Sequence, residues 1–311
     1  MSDNTLSQKI KNFLVNINNP EYVIQQISSV SDINLTNKEN GLTGLDNLGN
    51  TCYMNSILQC LRHTTSFSNH LLTMQTQRTL MKNFGENMIN GKPILILVNY
   101  IKIIHMMWSH KKTKLSPISF KVLLGVNFSQ FANSAQHDAH ELLITLLQSF
   151  HDSLAKNVRY QITGEVLTEI DEHIKKAHDD WTSYYKNKHS MVLDIFSGQL
   201  RTELKCLNCH KTSFTFDPIM AIDLPIVQNT SVYQSLDQFV AVEQLSEDNL
   251  YLCNYCQNRT RAHKKNTIWN LPKVLIVKFN RFKHRSCEGT FVSEKITGKI
   301  TYPVKDLNLS N

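Results

Sequence analysis

Residues 44–61 read GLDNLGNTCYMNSILQCL, a cysteine set between a glycine-bearing turn and an amphipathic run. Met54, Ile57, Leu58 and Leu61 recur at spacings of three and four, which predicts a helix with one buried face. Asn50 and Thr51 are N-cap residue types, so Cys52 is predicted to fall in the first turn of the helix. Unpaired N–H groups at a helix start favour a thiolate. Gly49 and Asn50 permit a positive-φ turn that aims backbone N–H groups at one point, as an oxyanion requires. The side-chain amide of Asn47 offers a further donor. On these residues alone, Cys52 is either such a nucleophile or a buried, inert thiol. Cys60 is expected in the core. Cys287, within HRSCEGT, is expected in a loop with no role.

Outward from this stretch the helical pattern continues to about residue 185. SAQHDAHELLITLLQSF, residues 134–150, predicts a second helix with Leu142, Leu143, Leu146, Leu147 and Phe150 on one face. Asp138 falls in its first turn, where a carboxylate suits the helix dipole; His137 and His140 read as an exposed face. In the most apolar window, 93–108, Asn99, Lys102 and His105 interrupt at spacing three, a polar stripe on a mostly buried helix. A membrane span needs about 20 consecutive apolar residues, and no stretch qualifies. Residues 155–190 read as a charged, helix-compatible surface segment, in which His173 and His178 are wrongly spaced to share a metal. Residues 1–40 read as a polar, weakly ordered arm with one apolar patch at 22–27.

From about residue 191 the pattern changes. GQLRTELKC, KTSFTFDPIMAIDLPI, KKNTIWNLPKVLIVKFNRF and EKITGKITYPV are β-branched and aromatic, punctuated by Gly and Pro, and predict strands. Helices first and strands second predict an α+β protein. The expected division is a polar arm over 1–40, a helical lobe over 41–190 and a β-rich lobe over 191–311, with a cleft between the lobes.

The chain has 311 residues, 41% of them hydrophobic and 19% charged, which reads as soluble and globular. The N-terminus MSDNTLSQKI lacks the basic flank and apolar core of a signal peptide. Four of the seven cysteines form two C-x-x-C pairs, Cys206/Cys209 and Cys253/Cys256. That pattern, with an odd total, points to metal ligation in a reducing, intracellular compartment rather than to disulfides. Two such knuckles complete a tetrahedral zinc site with no open position, so one structural zinc is expected; His210 is expected at the surface. The net charge of +7 is concentrated between residues 259 and 299, where eleven Lys and Arg face two acids, Glu288 and Glu294. That run is a solvated face or a patch for an acidic partner.

Together these motifs resemble the ubiquitin-specific proteases. Residues 44–61 are similar to that family's Cys box. SAQHDAHELLITLL resembles its Q-Q-D-A-x-E-F motif, with His137 in place of the second Gln. FSGQLRTELKCLNCHKTSFTFDPIMAIDLPI, the second knuckle and LPKVLIVKFNRFKH follow in the family's order, from about 42 to 305. The wording around 206–224 most resembles the nuclear branch that deubiquitinates histones within the SAGA coactivator complex.

The resemblance implies a papain-like cysteine protease fold with a helical thumb, a β-rich palm and zinc-ribbon fingers. It implies that Cys52 is the nucleophile and Asn47 the oxyanion donor. Asp138 and Glu141 would take charge-assisted hydrogen bonds from the basic tail of ubiquitin. Its implied partners are ubiquitin or ubiquitinated proteins and a multi-subunit coactivator complex, in the nucleus ahead of the cytoplasm; no membrane is expected, and nucleic acid is a partner only in the last of the readings below. The family's general base is a His in a late G-H-Y-like motif, oriented by a downstream Asp or Asn; here no His follows His284, so the chain is expected to be C-terminally incomplete. Asn280 also departs from the family's Lys. Three readings stand: a thiol-dependent deubiquitinase, a catalytically inactive ubiquitin-binding or scaffold protein, and a zinc-ribbon adaptor for chromatin or nucleic acid.

Overall fold

The computed structural model describes residues 15–16, 19–29, 42–86, 91–108, 113–226, 230–287 and 290–309, with the side chains of 86, 91–92, 248 and 283–293 left aside. The chain divides into two compact units, 1–157 with 189–195, and 158–188 with 196–311. The mixture is the expected α+β. Segment 158–188 lies in the second unit, with the strands.

The first unit is helical: α1 (Pro20–Ser28), β1 (Gly44–Leu45), α2 (Cys52–His63), α3 (Thr65–Leu71), α4 (Met74–Glu86), α5 (Gly91–Trp108), β2 (Lys114–Leu115), α6 (Ile118–Asn127) and α7 (Ala139–Leu154). Helix α5 is its axis. Ile94 to Val98, Tyr100, Ile101, Ile103, Ile104 and Met107 are all buried; Asn99, Lys102 and His105 interrupt as half-buried positions, and Met106 is exposed. The polar stripe has a use: Lys102 Nζ donates to Gln26 Oε1 of α1. Residues 20–28 are thus a docked helix rather than a loose arm. Asn19 caps it through the N–H groups of Glu21 and Tyr22, Pro20 opens it, and Val23 and Ile27 bury against α4 and α5. Helix α7 packs on α2, α4 and α5 with Leu142, Leu146, Leu147 and Phe150 at 0% exposure. Strands β1 and β2 pair in parallel, and Asp46 N–H donates to Leu115 O at 2.9 Å, which fixes the chain entering the cysteine turn.

The second unit contains α8 (Glu169–Tyr184), β3 (Gly198–Cys206), β4 (Thr212–Ile219), β5 (Ile222–Leu224), β6 (Thr230–Ser231), α9 (Val232–Val240), β7 (Glu243–Leu245), β8 (Tyr251–Cys253), β9 (Asn258–Thr260), β10 (Ala262–Asn270), β11 (Val277–Phe279), β12 (Phe282–Cys287), β13 (Thr290–Lys295) and β14 (Ile300–Thr301). An antiparallel sheet runs β4-β3-β10-β7. Strand β10 pairs with β3 from Ala262↔Cys206 to Asn270↔Gln199, with a register shift between Ile268 and Asn270. The charged helix α8 lies on this sheet. A Thr168/Asp171 capping box starts it, His173 sits edge-on to Phe214 at 4.4 Å, and Asp180 Oδ2 accepts from Phe216 N–H at 3.1 Å. A smaller core of Ile222, Leu224 and Val232 gathers Leu236, Ile268, Val277 and Phe279. The parallel pairs β5/β11 and β6/β14 and the hairpin β12/β13 complete the strands.

At the shift in register the backbones come very close. A Cβ on Gly198 would sit 2.5 Å from Asn270 O and 2.8 Å from Pro272 Cδ. Gly198→Ala must push β3 from β10, so a loss of about 1–3 kcal/mol is expected in urea unfolding. A variant as stable as the parent would show that this contact yields freely. Among the described residues no helix is long and apolar enough to cross a membrane.

Candidate active site and metal centre

Helix α2 begins at Cys52, which puts that residue in the first turn as expected, and the residues before it form a stapled turn. Gly49 (φ 90°) and Asn50 (φ 52°) are both left-handed. Asn47 Oδ1 accepts from Gly49 N–H, Thr51 N–H and Thr51 Oγ1 at 3.2, 3.2 and 3.1 Å. Thr51 Oγ1 in turn accepts from Leu48 N–H at 2.9 Å, and Thr51 is buried. Asn47 is exposed, its oxygen holds the turn, and among the described residues nothing accepts from its Nδ2. Thr51 is the N-cap but its side chain accepts no cap bond, so the first-turn N–H groups of α2 stay open to a ligand.

Cys52 is exposed, with Tyr53, Met54, Ile57, Leu58 and Leu61 buried behind it. Its Sγ lies 3.5 Å from Gln136 Oε1. Gln136 Nε2 donates to Asn50 Oδ1 at 3.3 Å, and Asn50 Nδ2 donates to Ser134 O at 2.9 Å. This bridge from the Cys turn to residues 134–136 joins positions 84 and 86 apart, a separation that no local periodicity signals. The composition of SAQHDAHE contained the residue but not its contact.

The predicted helix from 134 starts later, at Ala139. Asn133 Oδ1 takes the Ala135 N–H at 3.0 Å, and Lys121 Nζ draws the carbonyls of Phe131 and Asn133 to 2.7 and 3.0 Å. These local bonds compete with the first helical turn. Asp138 is therefore the N-cap, its Oδ1 on the His140 N–H at 2.7 Å, and Glu141 stands exposed in the first turn. His137 and His140 are half-buried, not an exposed face. His137 packs edge-on to Tyr53 and Phe131 at 5.3 and 5.2 Å, with its Nε2 2.8 Å from Asn133 Oδ1. Cys60 is exposed rather than in the core, because at about 100° per residue it falls roughly 110° from the centre of the face that Met54, Ile57, Leu58 and Leu61 bury. Cys287 ends β12 instead of sitting in a loop.

The other predicted cluster forms. The sulfurs of Cys206, Cys209, Cys253 and Cys256 lie within 4.8 Å of one another and are placed to hold a metal ion. The closest pairs are Cys206–Cys256 at 3.8 Å and Cys209–Cys253 at 3.7 Å. The two knuckles repeat one backbone device. His210 and Gln257, each just past the second cysteine, take φ of 59° and 53°, and their N–H groups close on Cys206 O and Cys253 O at 3.1 and 2.8 Å. Leu207 N–H to Arg261 O at 2.9 Å and the register Ala262↔Cys206 draw the second knuckle to the first across 43 intervening residues. The Thr260 hydroxyl 3.2 Å from Cys206 Sγ, helped by backbone N–H groups of Cys209 and Asn208, holds that thiol down to about 6. Cys256, in contact with the sulfur of Cys209 first and then those of Cys253 and Cys206, is pushed up to about 12. Four sulfurs this close cannot all ionise unaided, and a divalent cation supplies the compensating charge. His210 is exposed and outside the cluster, as expected.

Two cations of the described part of the basic run 259–299 are engaged within the fold, while Arg259, Arg261, Lys265, Lys273, Lys295 and Lys299 are exposed. Arg281 Nη1 donates to Ile296 O and Gly298 O at 3.2 and 3.1 Å, and Lys278 pairs with Asp223 at 3.4 Å.

Comparison with known proteins agrees with this geometry. The family described as UCH, ubiquitin carboxyl-terminal hydrolase, matches residues 43–311. Ubiquitin carboxyl-terminal hydrolase Usp2 of Drosophila melanogaster is 32% identical over 278 residues, which are 88% of this chain and 28% of that protein. Human ubiquitin carboxyl-terminal hydrolase 2 is 31% identical over 275 residues, 86% of this chain and 44% of its own. The chain thus spans less than half the length of these relatives. A solved SAGA DUB module, Ubp8/Sgf11/Sus1/Sgf73 bound to ubiquitin aldehyde, contains a chain 25% identical with a TM-score of 0.60, covering 86% of this chain and 52% of that one. The α+β arrangement is the papain-like fold of that family. The chain belongs to the ubiquitin carboxyl-terminal hydrolase family.

Proposed function

We propose that this chain is a thiol-dependent deubiquitinase domain that cleaves the isopeptide bond after the C-terminal glycine of ubiquitin. The observation that carries it is the exposed Cys52 at the open N-terminus of α2, directly after a left-handed turn stapled by Asn47. The Cys52 thiolate attacks the glycine carbonyl, forming a C–S bond and an oxyanion. First-turn N–H groups and Asn47 Nδ2 donate to that oxyanion. The C–N bond then breaks, the departing amine takes a proton, and water hydrolyses the thioester to the glycine carboxylate. Glu141 and the free Oδ2 of Asp138 supply acceptors for the arginines of the ubiquitin tail. Likeness to a module solved with ubiquitin aldehyde supports this substrate, and also a multi-subunit assembly.

Zinc is the metal we assign to the second unit. Four thiolates at about 2.3 Å around a tetrahedral zinc stand about 3.8 Å apart, which matches the closest sulfur pairs. With Cys206 and Cys253 buried and all four positions filled by protein, its role is to hold the fold.

A second reading has one observation in its favour. Among the described residues no imidazole lies within hydrogen-bond distance of Cys52 Sγ, so a ubiquitin-binding protein without turnover is the competing function. Hydrolysis of a ubiquitin C-terminal fluorogenic amide by this chain, beside Cys52→Ala, separates the two. Turnover lost in Cys52→Ala establishes the enzyme. Saturable ubiquitin binding with no turnover in folded protein establishes the binder and ends the first proposal.

A further inference from the structure

The amide bridge around Cys52 has a direction, and a backbone carbonyl sets it. Ser134 O can only accept, so Asn50 must turn Nδ2 toward it. That leaves Asn50 Oδ1 facing Gln136, which must answer with Nε2. Gln136 is then obliged to present Oε1, an acceptor, to the sulfur 3.5 Å away. Reversing the last amide would set two donors or two acceptors against each other at one of these contacts. The order of O and N in both amides therefore follows from the network itself.

We infer that Gln136 is a positioning residue that holds Cys52 as the protonated thiol, its orientation dictated from Ser134 through Asn50. The inference rests on Cys52 being the nucleophile. An S–H bond to a carbonyl oxygen stabilises the neutral form, and the same oxygen faces a thiolate with its negative end. The open first-turn N–H groups of α2 pull the other way, but no charged side chain around the turn joins them. His137 is held at Asn133 Oδ1, Asp138 caps α7, and Lys121 Nζ is taken by Phe131 O, Asn133 O and the Tyr53 hydroxyl. Among the described residues none of them reaches Cys52 Sγ. Attack on a substrate thus requires Gln136 to turn away or to reverse its amide. Gln136 sits two residues before Asp138, on the segment proposed to meet the ubiquitin tail, so tail binding is placed to release it.

The test needs no ubiquitin and no turnover. Alkylation of Cys52 by iodoacetamide is followed by peptide mass spectrometry in the whole chain, with exposed Cys60 as the internal reference. Gln136→Met keeps the length and removes the acceptor; Asn50→Gly tolerates the left-handed φ and frees Gln136 to reverse. Near neutral pH both variants are expected to alkylate at Cys52 about two- to tenfold faster than the parent, the range of one modest hydrogen bond. In strongly alkaline buffer, where the thiol is ionised throughout, the three rates should converge. Equal rates near neutral pH overturn the inference. So does a gain that persists undiminished in alkali, since that reports steric uncovering. Acceleration in Gln136→Met with none in Asn50→Gly overturns the part assigned to Ser134 and Asn50. Failure of any of these leaves the turnover assay, and the proposed activity, standing on its own result.

Discussion

Stripping the metal with a strong chelator, or replacing Cys253 with Ser, is expected to melt residues 243–262 and leave the helices of the first unit intact. The elements at the knuckles are too small to stand unaided. Strands β8 and β9 pair over three residues, and β7 joins the sheet edge over three more. An isolated two-stranded hairpin is marginal in water. Structural zinc contributes an apparent folding energy of about 10–16 kcal/mol in small zinc peptides, far more than these pairings supply. The effect should spread through Leu207 and the Ala262↔Cys206 pairing into the far end of β3 and β10. It should fade toward Gly198, where the sheet rests on α8 through Gln199 Nε2 to Ala177 O at 2.8 Å. Hydrogen exchange with and without metal reads this directly, beside a count of one zinc per chain by native mass spectrometry. Retained protection at 243–262 after verified metal loss would sink both the assignment and its structural role.

The parts of the fold that were legible in the sequence are those that local chemistry dictates. The place of Cys52 in the first turn of α2 needed only Gly49, Asn50 and an apolar spacing. The metal cluster needed only two C-x-x-C pairs, because each knuckle is a closed local turn. The polar stripe on α5 was visible as Asn99, Lys102 and His105, but not its partner Gln26, since that contact spans 76 residues. Helix α7 was begun five residues early because periodicity cannot see Lys121 and Asn133 bonding the backbone of 131–135. Cys60 is exposed because it stands at the margin of the apolar face, where spacing alone does not decide burial. Gln136 was the largest omission at the site. Gln136 stands as the first Gln of the Q-Q-D-A-like motif, but no contact follows from that, and its role arises only when the fold brings Asn50 and Cys52 to it.

The aromatic stack that joins the helices of the first unit yields two mutations of opposite expected sign. Phe150 of α7 is fully buried, with its ring 5.2 Å from Tyr100 of α5 and 6.2 Å from Phe67 of α3. Tyr100 in turn meets Phe120 of α6 at 6.5 Å. Phe150→Ala removes the member shared by α3, α5 and α7, and is expected to cost about 3–5 kcal/mol in transfer and cavity terms. Against a usual stability of about 5–15 kcal/mol, that loss leaves the unit near its unfolding threshold. Tyr100→Phe acts on the same cluster without emptying it. The Tyr100 hydroxyl is buried and has no hydrogen-bond partner among the described residues, and burial holds its acidity far below that of an ordinary phenol, opposed in part by the Arg62 charge. Deleting an unsatisfied buried hydroxyl removes a desolvation cost and leaves the ring contacts in place. Tyr100→Phe is therefore expected to unfold in urea at the parent midpoint or above it, while Phe150→Ala falls well below. If Tyr100→Phe lost as much as Phe150→Ala, the hydroxyl would have a partner in solution and the stack would not be the dry core described. If Phe150→Ala cost under about 1 kcal/mol, the helices would be held by contacts elsewhere, since truncating a fully buried ring cannot be that cheap where it is the shared contact.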